Sequence, residues 1–217
     1  GDILIHYIDG KPISSPLYVV INADCDLAQG KTVGRMALLH IVSLKQYVRE
    51  TWAAKKLEQL AKRHTSQLAM RIESIRIEND PGSHPLSSVA LDKWVIAAEP
   101  VEIANEIYGG NTAAVTDLRK SIARTKEIIM QARDLACDAF DRLVHIACCE
   151  SKNTPEKEAE NLKRSATNEL SRFPEDVIFI AEIPGVEGMG HIALLRSMEV
   201  IDITRVTTRF ADAKDPY

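Results

Sequence analysis

The feature that most constrains the fold of this chain is its apolar pattern, which is strand-like at both ends and helical between them. Short apolar stretches typical of strands occupy residues 2–8, 16–22 and 36–42, and then 176–180, 191–195 and 200–206. Neither end has enough strands to cover its own apolar face. We therefore expect the two ends to fold onto each other as one sheet-containing domain.

The helical tract begins where the apolar period changes near Leu44. A first amphipathic helix is predicted to reach about Ile77. Shorter helices are predicted over residues 86–108, with Pro100 at a boundary, because proline cannot continue the hydrogen-bond ladder of a helix.

Two more helices are predicted before the chain returns to strands. One apolar stripe runs without interruption from Leu118 to Ala147, which predicts a single helix of about nine or ten turns. The last helix is predicted to begin at Pro155, a residue type favoured at the first helical position, and to end near Phe173.

These patterns predict an α+β protein with two domains. Residues 1–43 and 174–217 are expected to form a β-rich barrel, and residues 44–173 an inserted antiparallel helical bundle. The net charge of -4 argues against a protein that is basic over its whole surface.

The cysteines and the hydropathy pattern indicate a cytoplasmic protein. The four cysteines form no CxxC pair and are expected to be reduced. The sequence contains neither a signal peptide nor an apolar run long enough to cross a membrane, so no membrane partner is expected.

One helix is locally basic. Between Leu44 and Ile77 there are eight lysines and arginines against three glutamates, a net charge of +5. This local positive charge predicts a binding surface for RNA or another polyanion, with candidate contacts at Lys55, Lys56, Lys62 and Arg63. The alternative is a solvated helix face that pairs with acidic neighbours.

An acidic segment follows the second strand. Asp24 and Asp26 flank Cys25, and their negative charge is expected to keep this thiol protonated and therefore structural. The histidines lack the spacing of a zinc site. Cys148 and Cys149 near His145 are adjacent on a helix and so point about a hundred degrees apart. We expect neither a metal ion nor another cofactor.

The two ends of the chain resemble the MazF/PemK family of bacterial toxins. The matching stretches are Gly1-Asp2-Ile3, Pro16-Leu17-Tyr18-Val19-Val20-Ile21, Gly190-His191-Ile192-Ala193-Leu194 and Val200-Ile201-Asp202-Ile203-Thr204-Arg205-Val206, about a third of the chain. Ser15 and Glu199 stand where the family commonly has arginine.

The resemblance implies an SH3-like barrel and a toxin or antiviral-defence role in bacteria. Members of the family are commonly ribonucleases that cleave RNA without a metal ion, using an arginine with an acid or a hydroxyl. On that basis the candidate catalytic cations are Arg196 and Arg205, and the candidate proton-transfer groups are His191, Asp24 and Asp26.

A second reading is a protein-interaction module without catalysis. In this reading the helical insertion binds a protein partner or forms a homodimer. Trp52, Trp94 and the stripe beginning with Leu118 and Ile122 would then supply the contact surface.

Overall fold

The computed structural model describes residues 3–8, 11–22, 34–79, 87–108, 112–134, 137–172, 176–183, 186 and 190–202. The chain divides into two compact units. A sheet unit contains residues 1–47 and 167–217, and a helical unit contains residues 48–166. The mixed α+β class predicted from the apolar pattern is confirmed.

The sheet unit is built on one antiparallel sheet of five strands in the order β1-β2-β3-β5-β4. The strands are β1 (Ile3–Ile8), β2 (Lys11–Val20), β3 (Arg35–Ser43), β4 (Val177–Ile180) and β5 (His191–Asp202). Strands from the two chain ends meet where β3 pairs with β5. Over the described residues the sheet is open, because β1 and β4 form its two edges.

Apolar side chains cover both faces of the sheet. On one face Leu17, Leu39, Ile41 and Ala193 form a buried cluster with Ile183. On the other face Val20, Met36 and Leu38 form a second buried cluster. Side chains alternate between the faces of a strand, and β3 lies at the centre of the sheet, so six of its nine residues are apolar and they face both sides.

Strand β5 differs from the sequence prediction. Residues 191–195 and 200–206 were expected to form two strands, but His191–Asp202 is one strand of 12 residues. Its pairing with β3 shifts between Leu39, which faces Met198, and Ile41, which faces Ala193. Between these two pairs, β3 has one residue, His40, whereas β5 has residues 194–197. The extra residues form a bulge in β5, and Arg196 is one of them.

Six helices follow β3 within the described residues. A single helical turn, Leu44–Gln46, and a π-helical segment, Tyr47–Trp52, lead into the first of them. The helices are α1 (Ala53–Asn79), α2 (Ser88–Ala97), α3 (Pro100–Tyr108), α4 (Thr112–Arg133), α5 (Ala139–Ser151) and α6 (Pro155–Leu170). The predicted changeover near Leu44, the boundary at Pro100 and the start at Pro155 are confirmed.

The prediction of one long helix through residue 147 is wrong. The helix ends at Arg133, and α5 begins at Ala139 after a break. Asp138 is the N-cap of α5, because its side chain accepts a hydrogen bond from the backbone N–H of Phe140 at 2.8 Å. The apolar stripe continues across the break, so the apolar period alone did not reveal it.

Helix α4 is the centre of the helical unit, where it packs against α1, α2, α3 and α5. The core of this unit consists of fully or almost fully buried aliphatic side chains from α1 to α4: Leu68, Ile72, Leu91, Val95, Ile103, Leu118, Ile122 and Ile129. Over the described residues, each helix is too short or too polar to span a membrane.

Candidate nucleic-acid interface

The structure separates the two candidate catalytic residues that it describes. His191 begins β5 and is buried, with Ser43 and Ile180 as its neighbours on the adjoining strands. Arg196 lies in the bulge of β5 and is exposed. The other three candidates, Asp24, Asp26 and Arg205, lie outside the described residues, as does Cys25.

The helical unit contains a groove lined by cations. Two helices form it, α1 on one side and α4 on the other, and its volume is about 440 Å³. We call it the basic groove, and it is lined by His64, Gln67, Leu68, Arg71, Lys120, Ser121, Arg124 and Thr125. The four α1 residues recur at steps of three, one and three, which is the spacing of one helix face.

Hydrogen bonds across the basic groove fix part of its wall. Arg71 on α1 donates to Ser121 Oγ on α4 at 2.7 Å. The Thr125 hydroxyl donates to the backbone carbonyl of Ser121 at 2.9 Å, one turn back along α4. Because Arg71 bonds here to a neutral hydroxyl, this contact leaves its positive charge in the groove.

Arg124 is held more tightly than Arg71. It donates through Nη1 to Glu127 at 2.8 Å, and through Nη2 to the carbonyl of Ile146 at 3.0 Å and to Glu150 at 3.3 Å. Burial acts to lower the pKa of Arg124, but its bonds to Glu127 and Glu150 raise it overall. Arg124 therefore stays charged, and its two acidic partners neutralise much of its field.

His64 is a largely enclosed polar side chain of the groove, with 19% of its side chain exposed. Its Nε2 lies 3.7 Å from Glu150 Oε1, which is within the range of an ion pair but too far for a hydrogen bond. Burial lowers the pKa of His64 below 6.5, Glu150 opposes this, and Arg63 and Arg124 lower it further. The neutral imidazole is therefore favoured, and no described residue makes a hydrogen bond with its buried Nε2 atom.

The four predicted nucleic-acid contacts divide between two sides of α1. At about 100° per residue, Lys56 and Arg63 lie roughly 70–90° from the middle of the groove-lining face, whereas Lys55 and Lys62 lie roughly 170° from it. Lys56 also covers the ring of Trp52 at 5.7 Å, and Lys62 pairs with Glu58 at 2.7 Å. Lys56 and Arg63 thus extend the positive surface beside the groove.

The groove also contains cations that sequence reasoning did not select. Arg71 was counted in the basic helix, but Lys120 and Arg124 lie on α4, which carries five lysines and arginines against two acids. This excess was hidden in the longer predicted helix, whose charges balance when the count runs on to Glu150. Their placement opposite α1 depends on how the two helices pack, which no local pattern in the sequence specifies.

The sheet unit contains a second group of polar side chains. Tyr18 on β2 and His40 on β3 are directly opposite each other, with ring centroids 5.5 Å apart. Burial raises the pKa of Tyr18, and so do the charge and the hydrogen bond of Glu199 on β5. The Nε2 atom of His40 is buried, and no described residue bonds to it. Tyr18 contacts both His40 and Glu199, and we call these three residues the Tyr18–His40–Glu199 cluster. Their meeting could not be predicted from the sequence, because it depends on the strand register.

The side chains proposed for a protein contact are mostly in the core. Trp52 is 4% exposed, and Leu118 and Ile122 are fully buried. Trp94 is partly buried against the same core. These four side chains therefore stabilise the helical unit from within.

Residues that could hold a metal ion lie beside the basic groove, since one of them, Glu127, accepts a hydrogen bond from Arg124 of the groove wall. The described residues contain one such set of three ligand atoms, from Glu127 on α4 and from His145 and Cys149 on α5.

Comparisons of the chain with protein-family models, with curated proteins and with solved structures give no match.

Proposed function

We propose that this protein binds single-stranded RNA through the basic groove of its helical unit. The observation that carries the proposal is the meeting of Arg71, Lys120 and Arg124 around one groove of about 440 Å³. Arginine and lysine side chains that neutralise phosphates supply most of the affinity of such complexes. The basic character of α1 extends this surface through Lys56 and Arg63.

The charge that remains for a ligand comes mainly from Arg71 and Lys120. Arg124 already faces Glu127 and Glu150, whereas the described hydrogen bond of Arg71 goes to a hydroxyl. Lys120 is exposed on the opposite wall. A phosphate between these two cations would gain charge-assisted hydrogen bonds from both helices.

The neutral polar groups of the groove favour RNA over DNA. Gln67, Ser121 and Thr125 supply both donors and acceptors. The ribose 2′-hydroxyl is also both a donor and an acceptor, so it gives such groups a partner that deoxyribose lacks.

For the sheet unit we propose a MazF-like SH3 barrel that belongs to a bacterial toxin or antiviral-defence module in the cytoplasm. Two observations support this. The terminal motifs resemble that family in order and placement, and strands from both chain ends join in one five-stranded antiparallel sheet.

RNA cleavage without a metal ion is the second candidate function, and the Tyr18–His40–Glu199 cluster favours it. Cleavage requires a base for the 2′-hydroxyl, an acid for the leaving oxygen and a cation on the phosphate. His40 and Glu199 supply the proton-transfer chemistry, and Arg196, three residues before Glu199 along β5, supplies a cation.

The test of binding is a fluorescence anisotropy titration of labelled single-stranded RNA at several salt concentrations. We compare the double variant Arg71→Glu/Lys120→Glu with the matched control Lys55→Glu/Lys62→Glu. Both double variants change the net charge by the same amount, but the control residues lie on the far side of α1 from the groove. We expect the groove variant to lose affinity on the order of tenfold or more and to show a salt slope smaller by about 1.4.

The control variant is expected to bind nearly as tightly as the wild type. Equal losses in the two variants would show that RNA responds only to total charge and would contradict a site in the groove. Equal affinity of the wild type for DNA of the same sequence would contradict the role given to the 2′-hydroxyl. A wild-type protein that does not bind RNA at low salt would refute the proposal.

A further inference from the structure

A set of three side chains with metal-binding chemistry lies on neighbouring helices of the helical unit. His145 and Cys149 are one turn apart on α5, so both project from the same face of that helix. Glu127 reaches them from α4. The Nε2 atom of His145 is 3.5 Å from Glu127 Oε1 and 4.0 Å from Cys149 Sγ, and all three ligand atoms lie within 4.8 Å of one another.

These separations are close to those of a tetrahedral zinc site. With zinc bonded to nitrogen, oxygen and sulfur at their usual lengths, neighbouring ligand atoms stand roughly 3.3–3.7 Å apart. The Glu127–His145 separation already falls in this range, the His145–Cys149 separation exceeds it by tenths of an ångström, and the Glu127–Cys149 separation is at most 4.8 Å. His145 has 57% of its side chain exposed and Glu127 has 39%, so small rotamer changes meet little resistance.

Glu127 is oriented toward this set by a second contact. Its Oε2 atom accepts from Arg124 Nη1 at 2.8 Å, while its Oε1 atom faces His145. Arg124 is itself fixed by the carbonyl of Ile146 and by Glu150. Partners of this kind hold a ligating carboxylate in place and improve metal affinity. The positive charge of Arg124 opposes a cation, and Glu150 offsets part of that charge.

We propose that Glu127, His145 and Cys149 bind a zinc ion. Three protein ligands of mixed oxygen, nitrogen and sulfur type leave a fourth position for solvent, as in zinc sites that keep an open coordination position. The thiolate selects zinc over magnesium and calcium, which prefer oxygen ligands only. On binding, Cys149 loses its thiol proton to solvent and His145 binds as the neutral imidazole, so affinity falls as the solution is acidified.

From the sequence no metal was expected here, because the adjacent Cys148 and Cys149 point about a hundred degrees apart on α5. This difference in direction means that only one of the two cysteines belongs to the site. Cys149 faces His145, whereas burial and the nearby Glu158 raise the pKa of Cys148 and favour its protonated form. The third ligand, on α4, could not be assigned from the sequence.

The test is titration of the metal-free full chain with Zn²⁺ by calorimetry and with Co²⁺ by absorption spectroscopy. We expect one zinc ion per chain and a thiolate-to-cobalt charge-transfer band in the near ultraviolet. Cys149→Ser should remove this band and weaken zinc binding by at least about tenfold. The matched control Cys148→Ser replaces the adjacent cysteine and should leave both readouts unchanged.

His145→Gln and Glu127→Gln give independent tests if Cys149→Ser does not fold, as judged by circular dichroism. Both should weaken zinc binding, and His145→Gln should leave the fold intact because 57% of the His145 side chain is exposed. A wild-type chain without zinc binding, or an equal loss in Cys148→Ser and Cys149→Ser, would overturn the assignment. RNA binding by the metal-free protein is measured separately, so failure of the zinc proposal can be distinguished from failure of the RNA proposal.

Discussion

Arg49 donates a hydrogen bond through Nε to Asp138 Oδ2 at 2.8 Å, while Asp138 Oδ1 accepts from the backbone of Phe140. The Nη2 atom of the same arginine reaches Asp141 at 3.0 Å, and its guanidinium lies 5.8 Å from the centre of the Phe140 ring. One carboxylate thus caps α5 and joins the start of this helix to the segment before α1. These contacts hold the start of α5 in place.

We predict that Asp138→Ala lowers the free energy of unfolding by about 0.5–2 kcal/mol, because α5 loses its N-cap. Asp138→Asn should cost less, since an asparagine oxygen still caps the helix. Urea unfolding followed by circular dichroism measures both changes. Glu58→Ala is the control, because it removes an exposed ion pair with Lys62 and no cap. A loss for Glu58→Ala as large as that for Asp138→Ala would contradict the capping role.

The stabilising effect of Asp138 should depend on pH. Burial acts to raise its pKa, but the hydrogen bonds from Arg49 and from the backbone of Phe140 lower it overall, below 3.8. A lowered pKa gives stabilisation that is complete above the unfolded value, about 3.9, and that is lost as the pH falls through the folded value. The difference in stability between wild type and Asp138→Asn should therefore shrink in acid.

We predict that RNA binding strengthens as the pH is lowered from about 7.5 to about 5.5, because a phosphate beside His64 favours the imidazolium form. The free protein opposes this protonation, since burial lowers the pKa of His64 and Arg63 and Arg124 lower it further, against Glu150. His64→Gln should bind with weaker pH dependence. Anisotropy titrations at both pH values test this. The same pH dependence in His64→Gln and wild type would exclude His64 from the groove's ligand contacts.

The lowered pKa of His64 also predicts how the stability of the RNA-free protein changes with pH. Because the neutral imidazole is favoured in the folded state, stability from this residue is present above about pH 6.5 and is lost as the pH falls through the folded value. RNA should reduce that loss, because it binds the charged form.

We predict that Tyr18 ionises above the ordinary tyrosine pKa of 10.0, because burial and Glu199 both oppose the phenolate. Glu199→Gln should lower the pKa of Tyr18 toward 10.0 by removing the negative charge. Ultraviolet titration of the wild type, Tyr18→Phe and Glu199→Gln isolates this one tyrosine. A Tyr18 pKa that does not change in Glu199→Gln would contradict the cluster described for the sheet unit.

If the protein cleaves RNA, the proton-transfer and cation roles can be separated from binding. His40→Ala and Arg196→Ala should each reduce turnover on the order of 10²-fold and leave affinity for the RNA nearly unchanged. His191→Ala is the comparison, because His191 is buried at the start of β5 and is not part of the Tyr18–His40–Glu199 cluster. Full turnover in His40→Ala would exclude the Tyr18–His40–Glu199 cluster as the catalytic centre.

The apolar period predicted those parts of the fold that depend on neighbours in sequence. The change at Leu44, the boundary at Pro100 and the start at Pro155 each follow from local backbone chemistry. The break before Ala139 was missed because Leu118, Ile129 and Phe140 are all buried, so the stripe fits one helix as well as two. The contact with Arg49, 89 residues away, decides between them.

The candidate sites were less predictable because each combines residues from separate elements. The basic helix correctly indicated positive charge on α1, but Lys120 joins Arg71 only through the packing of α1 on α4. Tyr18, His40 and Glu199 come from three strands, and their meeting depends on a register that includes the bulge in β5. Periodicity gives the face of an element and not the identity of the element opposite.

The pairing of β3 with β5 has a consequence for the order of folding. Ser43 and His191 are partners in the sheet, yet the whole helical unit lies between them in the sequence. Closing so long a loop costs conformational entropy before any strand contact compensates it, whereas helix contacts within residues 48–166 join segments closer in sequence. We expect amides of α1 and α4 to become protected in pulsed hydrogen exchange before those of β3 and β5. During synthesis the helical unit would then fold first and shorten the distance that separates β5 from β3 along the chain.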